Sequence, residues 1–443
     1  MILSTALILL ITIGIGLPIT LLLTPRLNKL AILGLSYLLG IGIYTLLMFA
    51  GNIFGIRFSL LNELGLLFLL LVPLVFFAKR RMKNFFIEIP KAVKNSKLEP
   101  VEKVMLGVLV FLIVTSFINT FYWPVYMWDS IVLYDFRGHV FAGTGYMKEA
   151  FIDSYYYGYP LLTSLAHSII YLAGGKYPQF LYSAFYLSLG LIFYGFLREF
   201  ASWKLSLLFS VVLLITGPLF YHSLFSYTNL TFTVYLAMGA ISIFLWDKKK
   251  DSGYLILSAL LIGLSTWVRS TEPFWAAVLL IVFLVSIYRK KVWNFALYSL
   301  FFFPIREVWK VFQNYLYGNG ASTVTEISGY GNMFSSIFDM NRWGQVITYL
   351  YKYVVTPWGG IFAAFVVAVI ALFLIKKQKD LFLIYFIVFV FLAVLILGTF
   401  SFSVTMESWY AIGDAAERLS MLFYPLFIFC IALVLSKFVK IKK

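Results

Sequence analysis

Thirteen times along this chain, a run of mostly apolar residues reaches the length a helix needs to cross a bilayer, roughly 18 residues or more. Such runs leave few folds open. Inside hydrocarbon every backbone N–H and C=O must bond within its own segment, so runs of this length become helices. A membrane β-barrel would instead show short segments of alternating polarity. The expected fold is an all-α polytopic membrane protein. Its about thirteen transmembrane helices fall at 1–23, 30–52, 58–78, 104–122, 177–197, 203–219, 228–246, 254–270, 272–288, 293–311, 355–375, 381–400 and 419–437.

The net charge of +16 invites a nucleic-acid partner, but its distribution excludes one. With the N-terminus outside and the C-terminus cytoplasmic, the inner loops hold 25 of the 35 Lys and Arg. That bias is the positive-inside pattern. The basic groups then face anionic membrane lipid, not nucleic acid. Only seven of the 19 Asp and Glu face inward, so the outer side is richer in reactive groups.

The opening MILSTALILLITIGIGLPITLLL has no basic start and no small-residue cleavage site, which reads as a retained span rather than a signal peptide. The single cysteine, Cys430, excludes an intramolecular disulfide and a cysteine metal cluster. Three parts are expected. Residues 1–78 form three N-terminal helices. Residues 79–103 form a basic cytoplasmic linker, either a membrane-surface segment or a solvated one. Residues 104–443 form a core with outer loops 123–176, 312–354 and 401–418.

The first outer loop carries the densest chemistry. Asp129 follows Trp128 at the outer end of a span. A carboxylate there can take a proton from an acceptor hydroxyl while a lipid-borne donor stays in the bilayer. It can equally be the N-cap of a surface helix over 130–142. Asp135 and His139 share a helix face. That spacing leaves a divalent metal (magnesium or manganese) open as a cofactor; an Asp–His pair, or Asp135 with Arg137, is the commoner arrangement. Glu149 and Asp153 are further candidate acids or plain loop solvation. Tyr159 precedes Pro160, and the short apolar segment 161–173 is expected to lie in the interface or re-enter it.

Charges elsewhere mark a second set. Arg269 and Glu272 sit in a tight turn between two spans, where charges are expensive. They carry chemistry or merely close the hairpin. Arg418 stands at the mouth of the last span, where a guanidinium can grip a phosphate or ordinary lipid. Arg306, Trp343 and Lys352 border the middle outer loop, whose Gly, Tyr, Asn and Ser suit sugar stacking or simple flexibility.

In order, these pieces resemble the GT-C-fold membrane glycosyltransferases that use polyprenyl-phosphate sugars: protein O-mannosyltransferases, aminoarabinose transferases and RgtA/B/C/D-like members. The matching elements are Trp128-Asp129, Tyr159-Pro160, Gly175 to Phe180, Arg269 to Glu272, and Glu417, Arg418 and Pro425. Many members carry Asp where this chain has Asn229. The resemblance spans roughly 104–437. It implies inverting transfer from a lipid-linked sugar to a glycan, lipid or protein acceptor on the extracytoplasmic face of the cell membrane, as in cell-envelope glycosylation. Asp129 would be the base, and the donor phosphate would lie near Arg418 with help from Arg269 or Arg306. The alternatives are a transporter or flippase of a lipid-linked or small-molecule substrate, and a membrane scaffold.

Overall fold

The computed structural model describes residues 2–94, 99–152, 159–270, 272–317, 336–373, 380–406 and 408–438. Every regular element among them is helical. In chain order the α-helices are α1 (Ile2–Leu23), α2 (Lys29–Ile53), α3 (Leu60–Lys94), α4 (Pro100–Tyr122), α5 (Phe136–Thr144) and α6 (Leu162–Leu172). Then come α7 (Phe180–Arg198), α8 (Trp203–Leu214), α9 (Gly217–Tyr221), α10 (Thr228–Lys249), α11 (Ser252–Val268) and α12 (Glu272–Tyr288). The series ends with α13 (Trp293–Tyr317), α14 (Met340–Leu350), α15 (Thr356–Leu372), α16 (Phe382–Thr405), α17 (Trp409–Ser420) and α18 (Phe423–Phe438). The sequence places the starts: Asn28, Ser202, Asp251 and Ser408 cap orphan N–H groups of α2, α8, α11 and α17.

The expectation of about thirteen spans is corrected here. Eight helices among the described residues are long and apolar enough to cross a membrane, or nine if α17 and α18, bent by 41°, make one span. The segments at 203–219, 254–270, 272–288 and 293–311 do not qualify, for physical reasons. Gly217-Pro218 ends α8 after 12 residues, about 18 Å of rise against about 30 Å of hydrocarbon. The Asp251 cap and the extended backbone of Arg269 confine α11 to 17 residues. α12 has the same length, and α13 carries Arg306, Glu307 and Lys310. The threading that set both termini rested on thirteen crossings and goes with it.

α10 is buried along its whole apolar length, with α7 and α11 against it, and α2 lies on α7 and α1. α3 and α4 expose most of their apolar side chains outward. α6 is not laid on a surface: Leu162 to Ile170 are all buried, chiefly under α5 and α2.

The two ends of the bundle differ. At one end the basic segments meet and pair with acids. Lys29 bonds Glu88, Lys204 bonds Glu99, Lys249 bonds Glu199 and Arg289 bonds Asp247. Arg81 donates to the Leu21 and Leu22 carbonyls that end α1. The opposite end carries Asp129, Arg418 and Arg269.

Candidate active site at the end opposite the basic loops

Asp129 is not an N-cap. Helical geometry already holds at Asp129 (φ −61°, ψ −29°), and its side chain makes no capping bond. A wide helical turn, Ser130–Asp135, runs straight on into α5. The carboxylate is turned instead toward α17. Arg418 Nη1 stands 3.5 Å from Asp129 Oδ2, and Arg418 Nη2 stands 2.5 Å from Asp414 Oδ2. One guanidinium therefore bridges two carboxylates from distant parts of the chain, all three partly exposed.

A second cation approaches from the α11–α12 turn. Arg269 Nη1 donates to Asn229 Oδ1 at 2.9 Å. Asn229 lies in the first turn of α10, one residue after Thr228, whose Oγ1 is 3.3 Å from the Tyr134 hydroxyl. Tyr134 is buried and feels the charges of both Arg269 and Asp129. Burial pushes its hydroxyl well above the usual phenol range. Tyr227 faces Asp129, Arg418 and Asp414. Burial raises its pKa, the Asp129 charge adds to that, and Arg418 opposes it.

A second cluster joins α5 to α6. Asp135 Oδ1 accepts from Tyr171 and lies 3.1 Å from His167 Nδ1; Oδ2 lies 3.5 Å from His139 Nε2. His167 is fully buried, and its other nitrogen meets the Tyr182 hydroxyl of α7 at 3.1 Å. His139 is exposed and stacks on Tyr171 with ring centroids 3.8 Å apart. Burial pushes Asp135 up, but the bond and charge of His167, then Tyr171 and His139, outweigh it and hold the carboxyl below its ordinary range. Among the described residues no group of three or more His, Cys, Asp or Glu is arranged to hold a metal ion.

Arg137 does not pair with Asp135. It is fully buried and donates to Ser164 Oγ (2.9 Å), Tyr159 O (2.8 Å) and Pro160 O (3.3 Å). The Tyr-Pro motif thus supplies carbonyls that fasten α5 to α6. At Gly138 a Cβ would come within 2.7 Å of the His167 Cβ, so α5 and α6 can touch only because that residue has no side chain.

The remaining expected residues lie apart. Glu149 is exposed in the turn Met147–Ala150. Asp153 and the side chain of Glu272 lie outside the described residues. Arg306 pairs with Glu307 at 2.7 Å and covers Trp275. Trp343 stacks on Phe400 with centroids 4.2 Å apart, and Lys352 lies over Tyr353. The sequence reading missed His167, Tyr171, Asp414 and Tyr227. One signal was present: Ser164, His167, Ser168 and Tyr171 are spaced as a polar stripe on an otherwise apolar helix.

His222, the third histidine, is buried near Arg418, and its Nδ1 has no hydrogen-bond partner among the described residues. Burial, helped by Arg418, lowers its pKa to about 3 from 6.5. At pH 7 it is neutral in the fold and mostly neutral in the unfolded chain. As pH falls below 6.5, the unfolded chain binds a proton that the fold refuses until about 3, so the His222 contribution to stability falls through that window. Asp135, held low, adds a loss only below 3.8. His222→Phe should therefore make apparent melting temperature less sensitive to acid between pH 6.5 and 3.8 than in the wild type and leave the Asp135 loss below 3.8 in place.

The chain is a polytopic, mostly helical membrane protein with a cluster of charged and aromatic side chains at one end of its bundle. No family model, curated protein or solved structure matches it.

Proposed function

We propose that this protein is a membrane glycosyltransferase that moves a sugar from a polyprenyl-phosphate donor to an acceptor hydroxyl on the extracytoplasmic face, with inversion. The observation that carries the reading is the meeting of Asp129 with Arg418 and Asp414 beside the Arg269–Asn229 pair, at the end of the bundle away from the basic loops. A base and a phosphate-binding cation are the two groups such a transfer needs at a membrane surface.

The two arginines divide the work. Arg418 is engaged by two carboxylates and orients Asp129. Arg269 bonds the neutral amide of Asn229, so its charge is available to the donor phosphate. Asp129 takes the acceptor proton as the acceptor oxygen attacks the anomeric carbon. The carbon–oxygen bond to phosphate breaks on the opposite face, and polyprenyl phosphate departs with that electron pair beside Arg269. The base acts on the face opposite the leaving group, as in inverting glycosidases, and because phosphate leaves without the acid those enzymes also need, one carboxylate suffices.

Arg269→Gln should weaken binding of a polyprenyl-phosphate sugar about ten- to a hundredfold, the effect of one hydrogen bond to a charged group. Titration of labelled donor into nanodiscs measures it. Unchanged affinity would remove Arg269 from the phosphate. Anomeric NMR of the product tests inversion.

One observation favours a carrier instead. Glu63 of α3 is 3% exposed, and neither carboxylate oxygen has a hydrogen-bond partner among the described residues. Glu63 lies in the first turn of α3, and buried acids in membrane helices can form part of a proton or ion pathway. Movement of unaltered labelled lipid across sealed proteoliposomes would support that reading over transfer.

A further inference from the structure

We propose that Asn52, at the end of α2, is a positioning residue that holds the segment bearing Asp129 and Asp135 in register with Arg269. The inference rests on the glycosyl-transfer reading for its consequence but not for its geometry.

From Asp129 the chain runs through the wide turn and α5 to a tight reversal at Gly145, forming one hook. Its first end is held by Arg418. Its far end is held by the N-terminal helices. Asn52 Nδ2 donates to Gly145 O (3.0 Å) and to Ile56 O (3.1 Å), while Asn52 Oδ1 accepts from the Met147 N–H (3.0 Å). The Phe58 N–H donates to the same Gly145 carbonyl at 2.9 Å, and the buried Phe58 ring lies beside Phe141 of α5. Gly145 has a left-handed φ of 84°, and a Cβ there would lie 2.3 Å from Arg57 Cγ. The left-handed φ is what requires glycine at the reversal, since the exposed Arg57 side chain is free to swing aside.

An amide is the one side chain of this size that donates and accepts in a single plane; a carboxylate only accepts. The clasp also transmits position, because α2 is itself pinned. Tyr37 bonds Leu181 O on α7, Tyr235 of α10 bonds Leu38 O, and Trp267 of α11 donates to Thr45 Oγ1 at 3.2 Å. Trp267 is two residues before Arg269. One helix thus fixes both the hook and the segment that carries the phosphate-binding cation.

The test uses full-length protein in nanodiscs with Asn52→Ala and Asn52→Asp. The aspartate keeps the acceptor for Met147 and guards against a simple folding failure. Amide exchange of peptides from 136–152 should rise about tenfold or more in the alanine variant and less in the aspartate one, with α10 unchanged. Buried His167 should become reactive to diethyl pyrocarbonate only in the variants. Turnover should fall while donor affinity stays at the wild-type value. Unaltered exchange and a protected His167 would overturn the clasp. Faster exchange with wild-type turnover would overturn its positioning role. If the wild type transfers no sugar at all, the glycosyl-transfer reading fails, and the exchange and His167 results alone decide the clasp.

Discussion

Asp129→Asn should reduce sugar transfer by about a hundred- to ten-thousandfold, the range a positioned general base contributes, with donor affinity unchanged. Asparagine keeps the shape of the side chain and can still accept from Arg418 Nη1, so the bundle end should stay assembled. What it loses is the ability to take the acceptor proton. The effect should therefore appear in turnover and not in donor binding. Transfer within a fewfold of wild type would assign the base elsewhere, with Asp135 next in line. Asp135 already accepts from Tyr171 and lies within bonding distance of His167, which leaves it less able to take a proton from outside.

Arg137→Met should destabilise the fold by about 3 kcal/mol or more. The fully buried guanidinium supplies the Tyr159 and Pro160 carbonyls and the Ser164 hydroxyl, and each acceptor left unpaired costs on the order of 1–3 kcal/mol. Methionine fills part of the volume and isolates the polar loss. Arg137→Lys restores the charge with three N–H donors on one nitrogen but not the fork that reaches all three acceptors, and should recover part of the stability. Apparent melting temperature in detergent, followed beside protease sensitivity of the 123–160 region, measures both. An Arg137→Met protein that melts like the wild type would mean that the two carbonyls find other donors.

Much of the helical content was legible because apolarity persists over whole helices. Their ends were less so, and the span count failed at the ends. Gly217-Pro218 stops α8 inside a run that still reads as apolar, and α13 keeps its helix through Arg306, Glu307 and Lys310 without the apolarity of a span. At the site, the sequence drew notice to Asp129, Arg418 and Arg269 as charges at membrane boundaries. It left the N-cap reading of Asp129 open, since a cap and a helix interior differ only in backbone angles. The partners were not legible. Asp129 with Arg418, and Asp135 with His167, are pairings between distant segments, and nothing periodic connects them. Asn229 stood out only as a residue where many of the resembled enzymes carry Asp, and its bond to Arg269 was not legible.

The central claim is that a sugar leaves a polyprenyl phosphate at this site. The most direct test offers the purified wild-type protein in nanodiscs a panel of radiolabelled polyprenyl-phosphate sugars with extracted envelope acceptors, and follows label and lipid together. The account predicts that label moves to an acceptor while free polyprenyl phosphate appears in equal amount, and that Asp129→Asn stops both. Donor lipids that bind yet stay intact across the panel, in protein shown to be folded, would contradict it.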